Sequence, residues 1–321
     1  MKKSYKCEKL EQTLHFLPSR IKYCCSCAEG PGVTIKDYKN IDKKEIKNTR
    51  TNIIKTLENG SFPKECKGCV DYKEIKPKNF FEKIFTKKGN NKIKHVIIDH
   101  YKQCDCNCVY CSQKVLFPDV VQNYEVLPLI KQLYKNNMFD EDLLVEFQGG
   151  NISMLNEFDE LIKEFDRNNC YRYSILTNWI KYLPRVEDLA RRKNCSICIS
   201  LDSGTKEGFK KVKGVDAFEQ VLENIYKLEK KSNAEIKFKY IIVEGVNDNL
   251  EEIKSFLEVA KTVKSLEGIM FEIDYRDILI NKRPNYQVPS HYKSLFDFAE
   301  NYCYENNLPF FVTNYVKSFL Q

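Results

Sequence analysis

The sequence predicts an α/β fold built on a parallel sheet, and three observations carry that prediction. From residue 93 onward, short apolar runs alternate with amphipathic stretches of helical period. Six such β-then-α units with short connections place helices on the outside of a parallel sheet. The length of 321 residues accommodates one large α/β core, with about a hundred residues over for a second unit. Periodicity leaves open whether the sheet curls into a partial barrel or stays flat. In either form, ligands gather at the C-terminal ends of the strands.

Taken in order, the strand-length apolar runs are KHVIIDH (94–100), LLVEFQ (143–148), YSILTN (173–178), CSICISLD (195–202), KFKYIIVE (237–244) and IMFEID (269–274). Amphipathic stretches between them, expected as helices, occupy 124–137, 155–168, 217–231 and 249–263. The turn-rich, charged KKGNNK (87–92) marks the expected boundary between a cysteine-rich unit over 1–90 and the main domain over 91–321.

Hydrophobic content of 42% and charged content of 30% are globular values and exclude wholesale disorder. The net charge of +7 is spread along the chain, and no basic tract with interleaved aromatics marks a nucleic-acid footprint. A solvated lysine-rich surface explains it. The basic start MKKSYKCEKLEQTLHF lacks an apolar core of signal-peptide length, and no run is long enough for a membrane span. A cytoplasmic protein is expected. Thiols stay reduced there, so fourteen cysteines argue for metal or redox chemistry rather than disulfides.

Four of those cysteines crowd into CDCNCVYC, directly after the first strand. Tetrahedral zinc normally uses two ligand pairs separated by a longer loop. An iron–sulfur cluster is a wider object that a single loop can wrap with thiolates. Cys104, Cys108 and Cys111 have three and then two residues between them, so three thiolates reach three corners of a cubane and leave its fourth iron open for a ligand. Cys106 is surplus, and its side chain is expected to point away.

This C-x3-C-x2-C loop, with aromatic Tyr110 before its third cysteine, resembles that of the radical S-adenosylmethionine (radical SAM) superfamily. The resemblance extends over 93 to about 275 and implies a partial (β/α)6 parallel barrel. It also implies an open iron that chelates the amino and carboxylate groups of S-adenosylmethionine. Cleavage of the sulfonium then gives a 5′-deoxyadenosyl radical that abstracts a substrate hydrogen. Tyr110 is a cofactor-side residue by the same carry-over. QGGN (148–151) stands where the superfamily usually has Gly-Gly-Glu. Gly149 and Gly150 carry over as points of close backbone approach. Asn151 departs from the pattern: its amide oxygen accepts a hydrogen bond from the cofactor amine without supplying a negative charge. The resemblance makes Ser200 and Asp202 ribose contacts and Lys213 a contact of the methionine carboxylate. Backbone around 243–246 would line the adenine. Competing readings are helix caps: Thr177 or Asn178 for the helix after the third strand, Asp202 or Ser203 for the one after the fourth, Asn247 or Asp248 for the one after the fifth.

In the first seventy residues, Cys7, Cys24, Cys25, Cys27, Cys66 and Cys69 make either a zinc site or a four-cysteine iron–sulfur site. The region resembles the SPASM or twitch-like auxiliary segments of radical SAM enzymes, placed here before the barrel rather than after it. That implies an auxiliary [4Fe-4S] cluster on Cys66 and Cys69, with Cys7 and Cys24 or Cys25 completing it and Cys27 in reserve. Cys170, Cys195, Cys198 and Cys303 read as core packing, as do Phe296 and Tyr302. His15, His95, His100 and His291 share no ligand spacing. The resemblance favours modification of a peptide or protein side chain, with a flavodoxin or ferredoxin as reductant. Alternatives are radical modification of a sugar or other small metabolite, and a non-catalytic iron–sulfur carrier or binding module.

Overall fold

The computed structural model describes residues 3–24, 32–34, 43–66, 72–76, 92–119, 124–192, 194–232, 235–276 and 287–320. In chain order the elements begin with β1 (Ser4–Lys6), α1 (Glu8–Gln12), β2 (Thr13–Leu17), β3 (Arg20–Lys22), β4 (Gly32–Thr34), α2 (Lys43–Glu58), β5 (Lys73–Ile75) and β6 (Ile93–Ile98). There follow α3 (Ser112–Leu116), α4 (Leu127–Lys135), β7 (Phe139–Phe147), α5 (Phe158–Arg167), β8 (Arg172–Thr177), α6 (Pro184–Arg191), β9 (Cys195–Ser200) and α7 (Lys206–Lys213). The chain closes with α8 (Phe218–Lys231), β10 (Glu235–Ile242), α9 (Leu250–Lys261), β11 (Leu266–Ile273), α10 (Tyr292–Glu305), β12 (Phe310–Val312) and α11 (Asn314–Leu320). The six expected strands are β6 to β11, and the four expected helices are α4, α5, α8 and α9. Two compact units interleave along the chain. One comprises Met1–Tyr101, Asp119–Phe147 and Asn156–Arg172; the other comprises Lys102–Pro118, Gln148–Leu155 and Tyr173–Gln321.

In the first unit, β6 is flanked by β7 and β2, both parallel to it. β3 and β4 extend the sheet antiparallel, so residues from the cysteine-rich N-terminal region share a sheet with β6. The register sets Leu14, Val96 and Val145 in one row, and Phe16, Ile98 and Phe147 in another. Both rows lie on one face and are fully buried. Phe158 of α5 meets Phe147 edge-on at 5.1 Å. The apolar stripes of α4 (Leu129, Ile130, Leu133) and α5 (Leu161, Ile162, Phe165) are also buried, each side chain contributing about 1.5–3 kcal/mol. Here the histidines find carboxylates rather than one another. His15 Nε2 lies 2.9 Å from Asp99 Oδ2, and burial holds the His15 pKa below its ordinary value. His100 Nε2 lies 2.7 Å from Glu157 Oε1. The same Glu157 accepts the Val126 and Leu127 N–H groups at the start of α4.

In the second unit, β8, β9, β10, β11 and β12 pair in that order, all parallel. One face carries an aromatic layer. Tyr240 and Phe271 stack at 5.0 Å, Phe256 of α9 lies 4.9 Å from Tyr240, and Phe296 and Phe310 close on Phe271 at 6.0 and 5.4 Å. Phe296 is core, as expected, whereas Tyr302 is half-buried and its hydroxyl donates to Glu258. Cys195, Cys198 and Cys303 are buried. Cys170, in the first unit, is only half-buried, its thiol between the Leu143 and Arg172 carbonyls.

Two helix caps differ from expectation. Thr205, not Asp202 or Ser203, caps α7, its hydroxyl accepting the Gly208 N–H at 3.0 Å. Asn249, not Asn247 or Asp248, caps α9, accepting the Glu252 N–H at 3.0 Å. Asp202 and Asn247 are buried and engaged elsewhere, which leaves capping to the residue nearer each helix. The expected boundary at 87–92, except Lys92, and Cys25, Cys27 and Cys69 lie outside the described residues. No helix among the described residues is long and apolar enough to cross a membrane.

Candidate metal centre

The cysteine loop is laid down by main-chain bonds before any thiol is considered. Asn107 and Val109 donate their N–H groups to the carbonyls of Lys213 and Val212 at 2.8 and 2.9 Å, so the last turn of α7 straps the loop. Gly214 ends that helix at φ +70°, with no space for a side chain against Asn107. On its other flank the loop takes a bond from Asn151, whose N–H reaches the Gln103 carbonyl at 2.7 Å. A Cβ on Gly150 would stand 2.1 Å from that same carbonyl oxygen. The Gly-Gly turn therefore serves close approach to the cysteine loop itself.

Within the loop Cys104 is exposed, Cys108 and Cys111 are half-buried, and Cys106 is buried. Cys106 does not turn away. Its thiol faces those of Cys104 and Cys108, and holding its one proton between them pushes it far up the scale. The same bonds pull both partners down, Cys108 to about 6, with the Lys213 charge adding to the effect and burial opposing it. Burial pushes Cys111 up. Two thiols of the C-x3-C-x2-C set are thus already biased toward thiolate, the form that binds iron. That donor set fits an iron–sulfur cluster.

Beside the thiols lies a network of amides. Asp105, between Cys104 and Cys106, accepts Asn151 Nδ2 at 3.0 and 3.1 Å and also accepts Asn178 Nδ2. Asn178 Nδ2 further contacts Cys106 Sγ at 3.1 Å, and Thr177 donates its hydroxyl to Asn151 Oδ1 at 3.0 Å. Neither Thr177 nor Asn178 caps α6, whose flanking residue is Leu183. Sequence reasoning did not single out Asp105, although a carboxylate set among four cysteines was the available signal.

Beside the loop sits a buried ion pair, met by the half-buried Tyr110 of the loop itself. Lys213 and Asp202 are 1% and 0% exposed and form an ion pair. Tyr110 donates its hydroxyl to Asp202 Oδ2 at 2.6 Å and takes a bond from Lys213 Nζ at 2.7 Å. Asp202 Oδ1 accepts the Ile241 N–H at 2.7 Å. Asp202 holds a left-handed φ of +58°, a strained state for a non-glycine residue that these bonds over-determine. Burial disfavours the Lys213 charge, but Asp202 and Cys108 overcome that and hold its pKa above the ordinary value. Asp202 and Lys213 thus meet each other. Ser200 is half-buried at the end of β9, opposite Lys239 of β10. The turn over 243–246 is fixed by Asn247, whose amide oxygen accepts the Val243 N–H at 2.8 Å while its Nδ2 donates to the Asp202 carbonyl at 3.0 Å.

Comparison with known proteins places these features. GTP 3′,8-cyclase of Clostridium botulinum is 25% identical over 180 residues, covering 54% of this chain and 54% of the relative. A probable dual-specificity RNA methyltransferase RlmN of Clostridioides difficile is 24% identical over 285 residues, covering 80% and 79%. The chain thus spans about half the length of the GTP cyclases it matches. Among solved structures, Streptococcus suis SuiB bound to S-adenosylmethionine superposes with a TM-score of 0.54 at 14% identity, over 86% of this chain and 57% of that one. SuiB bound to its precursor peptide SuiA gives 0.54 at 12%, over 97% and 73%. These likenesses establish the fold, the partial (β/α)6 type. The radical SAM superfamily profile matches residues 98–259, half of the chain and the stretch that carries the cysteine loop. The chain therefore belongs to the radical SAM superfamily, a family of enzymes that work with a [4Fe-4S] cluster and S-adenosylmethionine.

Proposed function

We propose that this protein reductively cleaves S-adenosylmethionine and uses the resulting 5′-deoxyadenosyl radical to take a hydrogen atom from a peptide or protein side chain. The observation that carries the reading is the strapped loop presenting Cys104, Cys108 and Cys111. Bound there, a [4Fe-4S] cluster supplies an open iron for the cofactor's amino and carboxylate groups and the electron that breaks its sulfonium. The protein's part is placement. Lys213, Asp202 and Tyr110 fix the back of the loop. Gly149 and Gly150 bring the 148–151 turn against it. Ser200 and the 243–246 backbone offer polar and main-chain contacts for the nucleoside at the ends of β9 and β10. A flavodoxin or ferredoxin is the fitting reductant.

The peptide reading draws support from the fold shared with peptide-bound SuiB over nearly the whole chain. A second reading, modification of a nucleotide or other small metabolite, draws on the similarity to GTP 3′,8-cyclase. An auxiliary [4Fe-4S] cluster on Cys7, Cys24 or Cys25, Cys66 and Cys69 belongs to the same proposal. Its support is the pairing of β1 with β5, which sets Lys6 opposite Lys73 and so draws Cys7 toward the segment that follows Cys69. The test is 5′-deoxyadenosine formation by anaerobically reconstituted, reduced protein. Wild type is expected to form it and Cys108→Ala to form none. Cys106→Ala should still form it, because Cys106 is not among the three proposed cluster ligands. No cleavage by wild type, with or without peptide, would favour an electron carrier.

A further inference from the structure

Parallel strands packed on both faces are apolar on both, and β9 to β11 depart from that rule. On the face of the aromatic layer, Ile197, Ile199, Phe238, Tyr240, Ile269 and Phe271 are all fully buried. The alternate residues belong to the opposite face. There the register aligns Ser200, Lys239, Met270 and Phe311 in one row, and Cys198, Lys237 and Gly268 in the next.

Two lysines at successive same-face positions of a central strand need a reason. Lysine is depleted from strands and is rarely withdrawn from water without a partner. Lys237 and Lys239 are both half-buried, yet among the described residues neither side chain forms an ion pair or a hydrogen bond. Their positions are about 7 Å apart along the strand, so the two charges repel more than they would in open water. On the same face Lys239 acts on Glu272, but burial raises that carboxyl's pKa to about 7, so near neutral pH it offsets the two cations only in part. Beside them the Phe311 ring is 39% exposed and lies over Gly268, where a Cβ would stand 2.2 Å from it.

Main-chain bonds tie this stripe to the metal centre. The Lys239 carbonyl accepts the Leu201 and Asp202 N–H groups at 3.2 and 3.3 Å, and Asp202 accepts from Tyr110 of the cysteine loop. Ser200, the proposed nucleoside contact, is in register with Lys239.

We infer that Lys237 and Lys239 are specificity-determining residues that take the carboxylates of an acidic peptide substrate. An extended peptide turns every second side chain to one side, at the same interval as the two lysines. Each ammonium then gains a charge-assisted hydrogen bond, and Phe311 offers its ring to an apolar neighbour. A triphosphate would concentrate its charge within one such interval. This assignment rests on the peptide reading of the proposed function.

The test uses anaerobically reconstituted protein with S-adenosylmethionine added, immobilised and exposed to a synthetic library of random decapeptides. Retained peptides are sequenced by mass spectrometry. Wild type is expected to favour Asp and Glu over Asn and Gln by about tenfold for each lysine, the size of one charge-assisted hydrogen bond. Lys237→Gln with Lys239→Gln should lose that preference. Lys237→Glu with Lys239→Glu should exchange it for Lys and Arg, and both variants should load iron and bind S-adenosylmethionine as wild type does. Equal retention of acidic and neutral peptides by wild type overturns the assignment, as does an acidic preference that outlasts the Gln pair. Lost iron loading in both variants would make the lysines supports of the fold, and weakened S-adenosylmethionine binding would make them cofactor contacts; either overturns it. Wild type that retains no peptide of any composition but binds inorganic tripolyphosphate overturns the peptide reading itself, in favour of a nucleotide.

Discussion

Lys213 stands where its loss would be felt at once. Replacing it by Met leaves the wholly buried Asp202 carboxylate with a hydroxyl and one backbone N–H but no cation. Breaking a buried pair from one side costs about 3–5 kcal/mol, so Lys213→Met is expected to shift urea unfolding by that much. Lys213→Met combined with Asp202→Asn should recover most of it, because no charge then remains unpaired. At this scale the sequence was partly legible. Cys104, Cys108 and Cys111 are close in the chain, so their spacing states their common purpose. Asp105, Asn151 and Asn178 come from three separate segments, and only the fold brings them together. Ser200, Asp202 and Lys213 were singled out through resemblance, but nothing local showed that two of them would neutralise each other. The inward-facing thiol of Cys106 was equally hidden, because alternation along an irregular loop does not follow strand period.

Among the elements, the 148–151 turn has little tolerance. Gly150→Ala would drive a methyl group into the Gln103 carbonyl, and backbone on both sides leaves nothing flexible to yield. Reduced iron loading with little change in circular dichroism is the expected result. On β11, Glu272 is buried and takes a bond from Tyr275. Burial raises its pKa from 4.5 to about 7, against the opposing charge of Lys239. The unfolded chain therefore releases this proton at lower pH than the folded one. Its contribution is fully present below about pH 4.5 and is lost as pH rises to about 7. Glu272→Gln should remove that decline, so its advantage in urea unfolding over wild type grows between those limits. The strands β6 to β11 were legible because their apolar runs or strand-period alternation end at clear turn residues. The short helix α7, rich in lysine and interrupted by Gly208, has little helical signal of its own. It forms because Thr205 caps it, Phe209 and Val212 are buried, and Gly214 stops it.

For the molecule as a whole, the open quantity is the number of clusters. Anaerobic reconstitution is expected to load about eight irons per chain, and Cys66→Ala about four, if both clusters are cubanes. About four in wild type, accompanied by zinc, would remove the auxiliary cluster. The parallel α/β class followed from periodicity alone, since six repeats of one pattern admit few alternatives. That the N-terminal β2 would join β6 was not legible. Pairing across some eighty residues leaves no local trace in the apolar LHFL.

The bonds from Asn107 and Val109 to the end of α7 involve no sulfur. Oxygen damage that strips the metal would leave that lacing untouched, and with it the shape of the mould. The protein should therefore survive bleaching in air as a folded shell that is refilled rather than remade. Repeated cycles of bleaching and repair, with secondary structure unchanged throughout, would be the signature.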